Sequence, residues 1–322
     1  MFWSTAARRF WLVAALLSAC GAALAQAKQY PARPVTLVID AFPRSLAGTV
    51  AGLLGERLTE TWRMSVQVQR IEGTLGSVAA ARVAKQPADG YVLLCTTETA
   101  LTGLPARYAD FPYEPLRDFT PISLLAQSAN VLVVNGAGDL RSVPELIAFA
   151  RQRPGGFAFT SAGEGTSQFV AGVLFGVRAQ LQPNAEFLPS GTGAVRAVAQ
   201  GQAAFTFGYL ADVMPLVKNG GLRALAVASP RRLPALPDVP TMAEAGFKDF
   251  DATPWVALVG PAGMPSAVVT KLNAEVRKIL TEPKSRERLA ELDLEPVASS
   301  PRALAARMRT ELEQRRALLR VN

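Results

Sequence analysis

Residues 35–49 read VTLVIDAFPRSLAGT, an apolar run that breaks at Pro43 and restarts as a stretch rich in Ala, Gly and Leu. A run without polar alternation suits a central strand covered on both faces, and a break followed by helix-forming residues makes this a strand–turn–helix unit. In open α/β sheets such a turn is delivered to the ligand crevice, so residues 41–47 are the first candidate site.

Outward from this unit the same grammar repeats. Val50, Leu53, Leu54 and Leu58 fall near helical spacing within 46–62, and SVQVQRI at 65–71 alternates as a strand does. An Ala-rich helix is expected over 75–85, a strand over 91–96, and a proline-bearing loop, FPYEPLRDF, over 111–119. The run 120–135 should carry the chain into a second unit, with Val131–Val134 as a strand. That unit is expected to continue as helix 144–153, strand 157–160, helix 167–181, strand 185–188, helix 192–201, and strands at 204–207 and 222–228. The extended run 250–261 returns the chain to the first unit. A helix at 266–280 with Ser266 as its cap, a short edge strand at 294–297 and a closing helix at 301–319 complete it. Strands alternating with helices imply mostly parallel sheets joined by crossovers. The expected organisation is an α/β protein of two lobes, 26–128 with 252–322 and 129–251, flanking a cleft that closes on a ligand.

Composition narrows the chemistry. The 322 residues are 49% apolar with a formal charge of +8, but the basic residues are scattered, so nucleic acid is not an expected partner. There is no His, which excludes His-based triads and His metal sites. Of two Cys, Cys20 and Cys95, only the second lies in the expected core, so no internal disulfide is expected. No cofactor is indicated. Residues 1–25 have the form of an export signal: Arg8 and Arg9, an apolar run to Leu17, then Ala23-Leu24-Ala25. Leu17-Ser18-Ala19-Cys20 offers a competing reading, cleavage before an acylated Cys20, and the two stay open.

Several segments, in collinear order, carry a family resemblance: Tyr30-Pro31-Ala32-Arg33-Pro34, Pro87-Ala88-Asp89-Gly90-Tyr91, Asp118-Phe119-Thr120-Pro121-Ile122, Leu222 to Val227, Leu236-Pro237-Asp238-Val239-Pro240-Thr241 and Glu244-Ala245-Gly246. Together with Ser142-Val143-Pro144-Glu145-Leu146 and Pro261-Ala262-Gly263, these resemble the tripartite tricarboxylate transporter substrate-binding proteins, the Bug family. The resemblance implies a periplasmic, two-lobed type II periplasmic-binding fold. Such a protein, expected as a monomer, holds a small organic acid between its lobes and delivers it to membrane transporter subunits. A ligand sensor facing a membrane receptor is the alternative function, and a periplasmic enzyme a more distant one.

The family commonly shows P-F-x-P-G-G-x-x-D after the first strand; here Pro43 remains, but Arg44 and Ser45 stand where glycines do. Arg44 can grip a carboxylate bidentately, and Ser45 can offer a hydroxyl and an N–H at a helix start. The second glycine cluster, at 72–77, is eroded as well. After the third strand, Thr97 and Glu98 are candidates, with Glu98 expected at the cleft mouth facing Arg44 or a ligand amine. In the second lobe Ser161, Gly163, Glu164, Thr166 and Ser167 match the S-S-G-x-G-T-S loop, Ser190, Gly191 and Thr192 the next turn, and Gly208 with Tyr209 a pocket wall. Gained charges at 44, 98 and 164 point to a ligand other than a plain tricarboxylate, such as an amino acid.

Overall fold

The computed structural model describes residues 30–40, 45–153, 158–182 and 184–319. The export-signal reading, Cys20, Pro43 and Arg44 lie outside the described residues.

β1 (Val35–Ile39) is the strand expected at the centre: it pairs in parallel with both β2 (Val66–Arg70) and β3 (Val92–Thr97). Its companion helix α1 (Leu46–Trp62) buries Val50, Leu53, Leu54 and Leu58 against Leu37 and Ile39 in one apolar cluster, which fixes the helix on the sheet. The Ala-rich segment is shorter than expected: a single 3₁₀ turn at 74–76, with Leu75 in left-handed geometry, precedes α2 (Ser77–Val83). A π-helical turn at Thr99–Gly103 leads into α3 (Leu104–Arg107), and the expected loop contains one helical turn, α4 (Pro115–Asp118), with Pro at its start.

β4 (Phe119–Gln127) ends the first passage and β5 (Asn130–Asn135) begins the second sheet. The chain continues through α5 (Val143–Arg151), β6 (Ala158–Ser161), α6 (Ser167–Ala179), β7 (Asn184–Phe187), α7 (Gly191–Ala199), β8 (Phe205–Tyr209), α8 (Leu210–Lys218) and β9 (Leu222–Ala228). It returns on β10 (Trp255–Pro261) and closes with α9 (Ser266–Thr281), α10 (Pro283–Ala290), β11 (Glu295–Pro296) and α11 (Pro301–Leu319). Helices α8 and α10 are additions to the expected order. In α8, Leu210 and Val213 are buried despite Pro215 inside the helix; α10 is highly charged and buries Ser285 and Leu289. Ser266 does not cap α9, which starts directly after Pro265 without a side-chain cap.

The two sheets have orders β11-β4-β10-β3-β1-β2 and β7-β6-β8-β5-β9. Both are mixed rather than mostly parallel. β10 returns antiparallel between β3 and β4, and β5 runs antiparallel to both β8 and β9. The reason is connectivity: the strands that carry the chain between lobes enter each sheet from the opposite end.

The second lobe's core is aromatic. Phe159, Phe175, Phe205 and Phe207 are all buried, with ring centroids 5.4 Å apart for Phe159–Phe205 and 5.5 Å for Phe175–Phe205. The first pair is stacked (24°) and the second edge-to-face (72°), and such pairs at this spacing add to area burial. Phe175→Ala is therefore expected to cost about 3–5 kcal/mol of stability in urea unfolding, as for a large buried aromatic whose site cannot collapse. A loss below about 1 kcal/mol would mean that this core repacks freely.

Candidate ligand-binding site

Three helices begin at the C-terminal ends of strands, and each start is built alike. Ser45, Thr166 and Ser190 have extended backbone geometry and cap α1, α6 and α7 by accepting from the N–H groups of Gly48 (3.1 Å), Phe169 (3.2 Å) and Gly193 (3.0 Å). Helix geometry leaves the amides ahead of these without an intrahelical acceptor, and the helix dipole favours an anion there. The Thr166 hydroxyl also donates to the Gly163 carbonyl (2.7 Å), and the Gly163 N–H reaches the Ser161 hydroxyl at 3.3 Å. The 161–167 loop thus uses the Ser161 and Thr166 hydroxyls to hold its own shape.

The remaining expected residues separate into those near the interlobe surface and those that are not. Thr97 is half-buried and pairs with Val256 of the returning strand. Thr192 gives its hydroxyl to Asp212 (3.0 Å), whose carboxyl is pushed up by burial and partly restored by that bond. Gly191 packs closely on Gln168; a Cβ there would lie 2.8 Å from the amide nitrogen. Gly208 is a packing glycine: a Cβ would meet Val213 at 2.5 Å and Val195 at 2.6 Å, so its place is between helices and not in a pocket wall. Tyr209 is half-buried, its hydroxyl pushed well above the ordinary range by burial and by the Glu98 charge. The Ser167 hydroxyl lies beside it without a well-formed hydrogen bond.

Two acids are not where the sequence placed them. Glu98 is fully buried instead of standing at a cleft mouth: its Oε2 accepts the Trp255 N–H (3.0 Å), and the Thr99 hydroxyl approaches Oε1 (3.5 Å). Glu164 is held by the first lobe, with Arg107 donating Nη2 to Oε1 (3.1 Å) and Nε to Oε2 (3.2 Å) and the Tyr108 hydroxyl donating to Oε2 (2.6 Å). Burial alone would raise the Glu164 carboxyl, but Arg107 and Tyr108 outweigh it and hold it below the usual range. With Glu98 and Glu164 both spent within the protein, the expectation of a doubly charged ligand loses two of its three supports.

Sequence reasoning missed Asp40 and Gln168. Asp40 directly follows β1; its Oδ2 accepts the Thr96 hydroxyl (3.1 Å), while Oδ1 is buried without a partner and burial raises the carboxyl. Gln168 Oε1 accepts the Ala162 N–H (3.1 Å), and its Nε2 is also buried and unpartnered. A polar residue at the end of an otherwise apolar strand was the available signal for Asp40, and the position after the Thr-Ser cap the one for Gln168. A cavity of about 910 Å³ lies elsewhere, between α6 and α11, walled by Val170, Leu174, Phe250, Arg307 and Leu318 among others.

Two α/β lobes joined by paired crossings, with capped helix N-termini on strand ends, define a solute-binding protein of the periplasmic-binding class. The chain belongs to the tripartite tricarboxylate transporter family receptor group, whose model matches residues 50–321. It is 32% identical over 284 residues to Protein BugT of Bordetella pertussis, covering 87% of this chain and 86% of that protein. Among solved structures it resembles R. palustris Rpa4515 with adipate (TM-score 0.81, 30% identity, 90% of this chain and 97% of the other). It also resembles MatC (Rpa3494) from Rhodopseudomonas palustris with bound malate (TM-score 0.79, 26% identity, 90% and 100%).

The buried Glu98 gives a pH prediction. Burial raises its carboxyl above the unfolded value; the Arg315 charge and the Trp255 N–H oppose this without cancelling it. A raised acid contributes stability that is full below its unfolded pKa and is lost as pH rises through the folded value. Wild type should therefore lose stability relative to Glu98→Gln, which keeps an acceptor for Trp255, between acid and alkaline pH. Urea unfolding of both proteins checks this; the opposite trend would show that the carboxylate is ionised and stabilised by Arg315.

Proposed function

We propose that this protein captures a small organic acid between its lobes and delivers it, without chemical change, to a tripartite membrane transporter. The observation that carries this reading is the 161–167 loop, which locks its Ser161 and Thr166 hydroxyls internally and leads into the N-terminus of α6. Backbone amides and a helix end recognise a carboxylate by charge and direction, with no general base or nucleophile needed. The absence of His from the chain removes the commonest proton-transfer group from any catalytic alternative.

Dicarboxylates fit better than amino acids. Of the acids expected to meet a ligand ammonium, Glu98 and Glu164 are paired inside the protein, and burial raises the carboxyl of Asp40 towards its uncharged form. The relatives solved with adipate and malate bind ligands of this class. Arg44, next to the Ser45 cap in sequence, is proposed as the side chain that adds a cation to the amides.

The test is a thermal-shift and calorimetry screen with adipate, malate, citrate and glutamate. A dicarboxylate at one hundred times its Kd is expected to stabilise the protein by about 2.7 kcal/mol, by mass action. Glutamate should bind more weakly than a dicarboxylate of its length. No response to any of the carboxylates would overturn the reading. For the ligand that binds, Arg44→Ala should weaken affinity by about 1.5–3 kcal/mol, the range for a hydrogen bond to a charged group; unchanged affinity would remove Arg44 from the site.

A further inference from the structure

We propose that Arg107, Tyr108 and Glu164 form an interlobe latch, a set of positioning residues that holds the lobes closed over the ligand and sets how quickly it escapes. The proposal rests on the reading of this protein as a closing solute receptor, but its first test needs no ligand.

Glu164 sits at the crest of the 161–167 loop, between Gly163 and Gly165, both at positive φ (129° and 79°). Its carboxylate turns away from that loop and reaches the first lobe, where one guanidinium takes both oxygens in fork geometry and the neighbouring tyrosine takes a third bond. Such a bidentate pair is directional, so it fixes the loop's orientation as well as its distance. Arg107 has a second hold: Nη1 donates to the Leu319 carbonyl (3.1 Å) in the last turn of α11, where the helix end favours a cation. The Leu319 side chain is buried in the second lobe's apolar cluster. One guanidinium thus grips the second lobe's 161–167 loop and the end of α11, a helix packed on both lobes through Leu304 and Met308 on one side and Leu319 on the other.

The approach beside it is as close as backbones allow. A Cβ on Gly103 would fall 1.9 Å from the Gly165 carbonyl oxygen, and one on Gly165 would fall 2.8 Å from the Leu104 amide nitrogen. Only glycines at 103 and 165 let the latch residues meet. Arg107 itself is set by α3, whose Leu104, Pro105 and Ala106 are buried and leave the last residue to project. The pair keeps moderate exposure, 31% and 21% for the two side chains, so water can compete for it and it can break. A fully buried pair would be a permanent strut; this one suits a contact that forms and parts with each cycle.

Small-angle scattering of the ligand-free protein provides the first test. Wild type is expected to scatter as a closed form, and Glu164→Gln and Arg107→Gln each to shift towards a larger radius of gyration, with far-UV circular dichroism unchanged. The double variant should be no more open than either single one, since both remove the same contact. High salt should open wild type and leave Glu164→Gln unaffected, a response that a purely structural role would not give. In the second test, adipate release followed by stopped flow should accelerate about fivefold in either variant. Identical scattering of wild type and variants, additive opening in the double variant, or a wild type already open would each overturn the latch. If scattering behaves as expected but adipate does not bind, the latch stands and the ligand assignment falls.

Discussion

The fold depends on how its backbone crosses between the two sheets. Two of its crossings lie side by side: the Ser128 N–H donates to the Pro254 carbonyl (3.0 Å), and the Asn130 side chain donates to the Ala252 carbonyl (2.7 Å) from a fully buried position; α11 also passes from the first lobe's core, at Leu304 and Met308, to the second's, at Leu319. Two adjacent extended segments can bend together but cannot slide independently, so the lobes are limited to hinge-like rotation. Beside the hinge, a buried polar network makes the crossing rigid. Glu311 accepts from the Trp255 indole (2.7 Å) and Arg307 (2.7 Å) and pairs with the Arg315 guanidinium (3.1 Å), while the Thr102 hydroxyl donates to the Glu98 carbonyl (2.9 Å) and Glu98 Oε2 holds the Trp255 backbone. A buried carboxylate with two donors and a second guanidinium beside it is well compensated, and removing one of them would leave its charge under-balanced.

That rigidity bears on the site. Closure can position a carboxylate only if the helix ends on both sides return to the same place each time. The caps at Ser45, Thr166 and Ser190 secure them locally, and the hinge secures them relative to one another. The Ser45, Thr166 and Ser190 hydroxyls, read from the sequence as ligand contacts, accept from backbone amides at these helix starts.

Much of this was legible in the sequence because it is local. Strand β1, helix α1, strand β9 and helix α11 follow from hydrophobic spacing over a single element, and their expected bounds differ little from those observed. What was not legible depends on distant partners. Glu98 pairs with a backbone amide 157 residues away and Glu164 with a guanidinium 57 residues away, so no local pattern separates them from free acids of a binding cleft. Helix α8 was hidden by Pro215 and α10 by its charge, and in each a few buried residues outweigh a weak or broken periodicity. The antiparallel return of β10 was likewise invisible, because strand direction is set by the route between lobes and not by the strand's own residues.

The fates of these two acids have one energetic consequence in common. In a receptor whose lobes touch only through a ligand, the ligand supplies all the free energy of closure, and its apparent affinity falls by the fraction of protein that is open. Here the protein contributes interlobe contacts of its own: the Arg107–Glu164 pair, the glycine-to-glycine approach at 103 and 165, and Leu75 lying 3.1 Å from where a Gly163 Cβ would be. Under the latch proposed above, each raises the closed fraction before a ligand arrives. Arg44 and Ser45 stand where the family resemblance places paired glycines, and under the proposed latch lobe-to-lobe contact is a physical means of retaining a ligand without glycines in that turn. Tight holding and sparse direct contact are then compatible, since release is governed by the contacts between lobes as much as by those to the ligand.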